Sequence, residues 1–474
     1  MNRQNNKIYT TLGYLTPAES KRLIRFLESP YFNQSKVLTA LCARFLALHE
    51  RGETGFDREA IWDALFPGTA YEDVNFRKYC SDLLKLVEDF LVQENLSQEP
   101  VRKSLDLLEV VSRRKIEPLL GSALRQSKSA MERQSYRSAG YFLEAFQMEK
   151  HYYQLMEFDL KMDMRANLEE ISNNLDIFYW IEKLKLYTAV VSERTTGTFQ
   201  YQLHFVEEML AYLQDFPMED APELAVYYYS FLMLYEEDQV EHYRNLRRLL
   251  DAYANTMPRK DRVELFDSAL HYCVGKINRG DRAFLQEYFD LFEEGLDKAI
   301  FVVGGELASW RFNNAVGAAL GLGRIDWAEN FVKKYKNALP AGTRENTYAF
   351  NLARVYRFQG KFKEVLELLR NLEYEDIGYN LLAKSMVMMT YYDLDEYDAL
   401  ESFIESFRVF LNRHKNIATQ RRRSYQNYIR YVRRLTRLLS NDKAAIQALY
   451  EEVERNRATI ANHNWVLEKL NELR

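Results

Sequence analysis

Only 18 glycines and 9 prolines are spread over 474 residues, about 6% of the chain where ordinary proteins carry about 12%. Hairpin turns, Rossmann-type loops and linkers depend on these two residues. Their scarcity argues against a strand-rich fold and for helices joined by short polar loops. Hydrophobic residues at 47%, aromatics at 14% and charged residues at 28% supply enough apolar surface for a packed core rather than a disordered chain. The most apolar stretch, Ala225–Tyr235, has eleven residues, and a membrane-spanning helix needs about 20.

Three cysteines, Cys42, Cys80 and Cys273, are too scattered for a disulfide framework or a zinc site. The first residues, MNRQNNKIYTTLGYLTPAES, have no apolar core and no small-residue cleavage site, so no secretory signal is read there. A reducing, cytoplasmic setting is the expectation.

The chain divides by pattern into three parts. Residues 1–98 read as an N-terminal helical module. Thr16-Pro17-Ala18-Glu19 is a capping box: the threonine hydroxyl accepts from the third helical N–H, the glutamate reaches back, and proline is favoured at the first position. Ser29-Pro30 and Phe66-Pro67-Gly68 are stops. Beyond them Phe76, Cys80, Leu83, Leu84, Val87 and Leu91 form one stripe at steps of three and four. Residues 99–300 continue as a degenerate array of helical hairpins, and residues 301–474 hold a sharper repeat closed by a C-terminal helix over about 442–472.

In that third part Gly323-Arg-Ile325-Asp-Trp-Ala328, Gly360-Lys-Phe362-Lys-Glu-Val365 and Asp395-Glu-Tyr397-Asp-Ala-Leu400 align without gaps, 37 and 35 residues apart. This resembles the turn and second helix of a tetratricopeptide repeat, whose period is about 34. Ala353 and Tyr356 match the small and aromatic positions of its first helix, Phe362 and Tyr397 the second-helix aromatic, and Pro340 the terminal proline. Val316 and Met388 stand where the small residue belongs, and the third unit lacks the glycine. The resemblance covers about residues 310–412, with a degenerate unit at Gly280-Asp281. It implies an all-α fold, a tetratricopeptide-like α-solenoid of antiparallel helix pairs, and binding of peptides or proteins.

The N-terminal run from Asp57 to Leu91 resembles the helix-turn-helix of bacterial winged-helix activators, although Val92–Arg102 carries no wing pattern and Asp73, Asp82, Glu88 and Asp89 suit a phosphate backbone poorly. Together with Ser29–Asn33 it also resembles uncharacterised all-helical bacterial proteins. The first resemblance implies a nucleic-acid-responsive regulator, the alternative to a scaffold.

Catalytic and metal signatures are missing. None of the seven histidines belongs to a His-Glu-x-x-His. His204 with Glu207 and Glu208, and Asp238 with His242, are helix-spaced pairs that read as exposed polar faces. Cys273 and His271, two apart on a helix, do not face each other. Val302-Val303-Gly304-Gly305 reads as a loop or a kinked helix start. The expectation is a protein that is not an enzyme, with no cofactor and no metal.

Charge is the unusual feature. Thr195–Tyr243 holds ten acids and no Lys or Arg, Ser406–Asn441 holds ten bases and no acid, and the net charge of −5 conceals both blocks. Within the basic block Arg421, Arg422, Arg423, Arg430, Arg433, Arg434 and Arg437 present guanidinia along one helix, with Tyr425 and Tyr428 as flat anchors. Three readings stay open: an arginine face paired within the chain, an acidic protein partner, or nucleic acid. The two blocks can also pair with each other, within one chain or in a homo-oligomer. Taken together, the sequence reads as a non-catalytic scaffold or adaptor holding a protein segment on a helical-repeat surface.

Overall fold

The computed structural model describes residues 6–134, 136–158, 167–194, 201–219, 221–370, 377–438 and 442–474. The fold is all-α, with 23 α-helices among the described residues. None of these helices is long and apolar enough to cross a membrane. They gather into two compact units, Met1–Lys183 and Leu184–Arg474, and the division falls inside the helix Leu168–Arg194.

In the first unit the capping box forms as written: the Thr16 hydroxyl accepts from Glu19 N at 3.2 Å and Glu19 Oε2 accepts from Thr16 N at 2.8 Å. The helix it opens, Pro17–Glu28, packs with Lys36–Glu50 and Asp73–Gln98 around Leu23, Leu41, Phe45, Leu83 and Val87. Leu91 is not in that stripe. It is exposed, and Phe90, one residue earlier, is buried in its place, because Phe76, Cys80, Leu83, Val87 and Phe90 keep alternating steps of four and three, and a second step of four from Val87 to Leu91 falls off that stripe. No strand pair follows among the described residues, since Pro100–Arg114 is helical.

The second unit is built from consecutive helices that pack on one another: Pro222–Tyr235 on Val240–Tyr253, Arg259–Asn278 on Ala283–Asp297, Ser309–Gly321 on Ile325–Lys334, Arg344–Phe358 on Phe362–Leu369, and Ile377–Asp393 on Tyr397–Arg413. Pro222–Tyr235 is buried nearly all round, which accounts for its apolar sequence. The turns inside four of these pairs share one geometry. Gly280, Gly323, Gly360 and Asp395 all have positive φ, and the next residue's N–H reaches back five positions, at 3.1, 2.8, 2.9 and 3.0 Å. This is a Schellman cap, which satisfies carbonyls at the helix end and demands the left-handed conformation that glycine adopts at no steric cost. Asp395 meets the same demand without glycine, and its carboxylate accepts from Tyr397 Oη at 2.7 Å. The small-residue position, Ala353 in one pair, is buried in all three units, with Val316 and Met388 also inaccessible.

One short sheet interrupts the helices. Val302–Val303 pairs antiparallel with Glu306–Leu307, Val302 opposite Leu307 and Val303 opposite Glu306. Gly304 and Gly305 both have positive φ, as a two-residue type I′ turn requires. The loop or helix start read at this point is therefore a β-hairpin: two β-branched residues before Gly-Gly are a hairpin signal in their own right.

Candidate functional site

The basic block forms the helix Thr419–Leu435, and its arginines and tyrosines do different things. Tyr425 and Tyr428 are not surface anchors. They are 6% and 0% exposed and lie in one core cluster with Ile429, Tyr431, Val432 and Leu435. Steps of three put them on the same stripe as those aliphatic side chains, and that stripe faces the core. Arg422 donates through Nη2 to the His414 and Ile417 carbonyls at 3.0 and 3.3 Å, tying down the end of the preceding helix. Arg430 lies over the Tyr431 ring, 4.9 Å from its centroid. Arg433 forks onto Glu401, Nε to Oε2 at 3.2 Å and Nη2 to Oε1 at 2.6 Å, and also reaches Glu405. Arg434 meets Glu452 at 2.7 Å. Arg423 and Arg437 are exposed. Arg421, also exposed, lies by Tyr425 and faces the groove described below.

The acidic and basic blocks do not pair with each other among the described residues. Ion pairs of the acidic block are Glu236 with His242 at 2.8 Å, Glu237 with Arg279, and Glu241 with Arg244 and Arg248; Asp220 lies outside the described residues. His242 thus meets Glu236 and not Asp238. The partners of the basic block are Glu401, Glu405 and Glu452, from the flanking helices.

Among the described residues no three His, Cys, Asp or Glu side chains come together as a metal site. The cysteines are buried, and burial pushes the Cys42 and Cys273 thiols up to about 12 and Cys80 up to about 11. These thiols are protonated at neutral pH and are poor nucleophiles.

A concave groove of about 730 Å³ lies along the first helices of the successive pairs. Arg259–Asn278, Ser309–Gly321, Arg344–Phe358 and Ile377–Asp393 each contribute side chains, Ala283–Asp297 adds Leu285 and Tyr288, Thr419–Leu435 adds Arg421, and Asn462 lies just before the last helix. Apolar groups, among them Val274, Leu285, Phe350, Leu382 and Met386, make up much of the lining. The polar groups are one-sided: Arg354, Arg357, Arg421, four asparagines, Tyr288, Tyr379 and Ser385, with no Asp or Glu among the described lining residues. Arg357 is answered from the side by Asp393 at 2.6 Å.

Arg354 is not answered. Its Nη1 donates to the Asn313 carbonyl at 2.8 Å and to Asn351 Oδ1 at 3.0 Å, and no carboxylate pairs with it among the described residues. Asn351 is fully buried. It donates to the Thr347 carbonyl at 2.8 Å and to Asn313 Oδ1, and Asn313 in turn donates to Tyr379 Oη at 2.5 Å. The asparagine pair therefore fixes one edge of the guanidinium in place. Gly317 makes room for it: a Cβ there would lie 2.7 Å from Arg354 Nη2. Withdrawal from water pushes the Arg354 pKa down to about 10, so the group stays charged at neutral pH without a counter-charge to stabilise it.

Neither Arg354 nor Gly317 stands out in the sequence. The signal that finds them is their spacing: they are 37 residues apart, at equivalent places in adjacent units, where a missing side chain in one leaves room for a long one in the next. Compared with family models, curated proteins and solved structures, the chain matches none.

Proposed function

We propose that this chain is a non-catalytic interaction scaffold whose second unit is a tetratricopeptide-like solenoid and whose ligand is a protein segment held in the groove of the first helices. The observation that carries this reading is the groove: four consecutive helix pairs present their first helices to one concave, largely apolar surface. The recurring cap at Gly280, Gly323, Gly360 and Asp395 supports the repeat reading, because a repeated turn geometry sets each pair on the last in a similar way. A groove made from several helices suits an extended segment better than a small molecule, since apolar contacts along its length give affinity and the few polar groups give register. The basic helix serves this scaffold as structure, with most of its guanidinia engaged within the chain.

The test is selection of displayed random dodecapeptides on the full chain, followed by amide hydrogen exchange with an enriched peptide bound. Protection confined to Arg259–Asn278, Ser309–Gly321, Arg344–Phe358 and Ile377–Asp393 is the expected result. No enrichment, or protection elsewhere, overturns the reading.

A further inference from the structure

We propose that the groove selects an acidic segment, one of whose carboxylates seats on the Nε and Nη2 edge of Arg354. This rests on the reading of the groove as a peptide site and adds the chemistry of the ligand.

The argument begins with what Arg354 has left to offer. Its Nη1 is consumed by the Asn313 carbonyl and Asn351. The remaining edge, Nε and Nη2, is the pair of parallel donors that fits the two oxygens of a carboxylate. The same unit shows that edge when satisfied: Arg311 donates from Nε to Asp267 Oδ1 at 2.8 Å and from Nη2 to Oδ2. Among the described residues, Arg354 has the fork without an acid. Arg354 is half-buried, and a charge partly withdrawn from water is costly to keep unpaired, so a guanidinium held at Nη1 by two asparagines and given room by Gly317 suits a counter-charge from outside. Two further groups of the lining agree in sign. Arg357 Nη1 and Asn462 Nδ2 are buried donors with no acceptor among the described residues, and Arg421 adds a third positive charge to the lining. Unmet donors and unbalanced cations select an acceptor-rich, anionic ligand, and the apolar remainder of the groove selects a peptide over a nucleic acid, whose binding takes long basic tracks rather than one enclosed arginine.

The experiment selects random dodecapeptides on the wild-type chain, on Arg354→Gln and on Gly317→Ala. Circular dichroism and thermal melts establish that each variant is folded. The wild-type pool is expected to be enriched in Asp and Glu. Its peptides should weaken about tenfold to a hundredfold when their acid is made an amide or when Arg354 becomes Gln, the loss expected for a charge-assisted pair. Gly317→Ala should weaken the same peptides by less, because its Cβ displaces only the flexible end of Arg354. Arg354→Lys should fall between, keeping charge but losing the fork. Enriched peptides without acids, bound equally by Arg354→Gln and still protecting the groove helices, overturn this inference and leave the peptide reading standing. Failure of any pool to enrich overturns both. A fluorescein-labelled oligouridylate that binds through Arg354 while acidic peptides do not would replace the acidic segment with nucleic acid.

Discussion

The arginines of Thr419–Leu435 and the arginine of the groove differ in what answers them. On the helix Arg433 has Glu401 and Glu405, Arg434 has Glu452, Arg430 a tyrosine ring and Arg422 two carbonyls. In the groove Arg354 has two asparagines and, among the described residues, no acid. A count of bases along the sequence marks the first place and passes over the second. The comparison teaches that a charged site is recognised by the missing counter-charge, because an ion that its own fold has neutralised has little left to offer a ligand.

The largest test of the comparison concerns the tyrosines. Tyr428 is fully buried and its Oη has no hydrogen-bond partner among the described residues. Replacing it with Ala should destabilise the second unit by about 3–5 kcal/mol, as for large aromatic truncations in cores, read as a loss of urea midpoint. Tyr428→Phe should be neutral or slightly stabilising, because it removes a hydroxyl that makes no bond. A surface anchor would behave in the opposite way, with Ala harmless to stability.

Asp393 comes next, and it sharpens the contrast inside the groove. Its carboxylate, 6% exposed, holds Arg357 at 2.6 Å and Lys469 at 3.1 Å, joining Arg344–Phe358, Ile377–Asp393 and the last helix, His463–Leu473. Asp393→Asn should cost about 3 kcal/mol, since it leaves Arg357 without its acid, while Lys469 keeps Glu472 at 2.9 Å. It also creates a second unanswered arginine beside Arg354. Thermal melts should show the lower midpoint, and fluorescence anisotropy should show tighter binding of the selected acidic peptides by the fraction still folded. Weaker binding would mean that Arg357 takes no part in the groove.

These cases also separate what the sequence carries from what only the fold shows. Local signals with a single physical meaning were legible: the capping box at Thr16 and Glu19, and the caps at Gly323 and Gly360, where only a left-handed residue serves. Asp395 was legible by alignment alone, since nothing in its chemistry announces a positive φ. The direction in which an aromatic stripe points was not legible, because Tyr425 and Tyr428 at helical spacing fit a core and a binding face equally well. The groove was legible least. It depends on which side chains of different helices meet, and the Asn313–Asn351 pair that holds Arg354 joins positions 38 residues apart.

A smaller effect belongs to Arg433. Its guanidinium is 22% exposed and its partners about half exposed, so the pair sits where water screens it. Arg433→Ala should lower stability by less than about 1 kcal/mol, with the difference shrinking at high salt. A double-mutant cycle with Glu401→Ala checks it. Peptide binding should not change, and a change of tenfold or more would return the basic helix to the binding surface.

The smallest effect, and the one that separates the two regions most directly, is at Arg423. It is exposed on the basic helix and is the residue that a reading from charge density would place foremost in a contact surface. Arg423→Glu reverses a charge that makes no ion pair among the described residues, so the melting midpoint should not move measurably. If recognition runs through long-range attraction to the basic block, the reversal should slow association of an acidic peptide and steepen with dilution of salt. If it runs through the enclosed fork of Arg354, the dissociation rate is set inside the groove and should be the same in both proteins. Stopped-flow association and dissociation at two salt concentrations, wild type beside Arg423→Glu and Arg354→Gln, therefore divide the roles: a faster dissociation for Arg354→Gln alone locates recognition in the groove, and a salt-dependent slowing of association for Arg423→Glu would locate it on the helix.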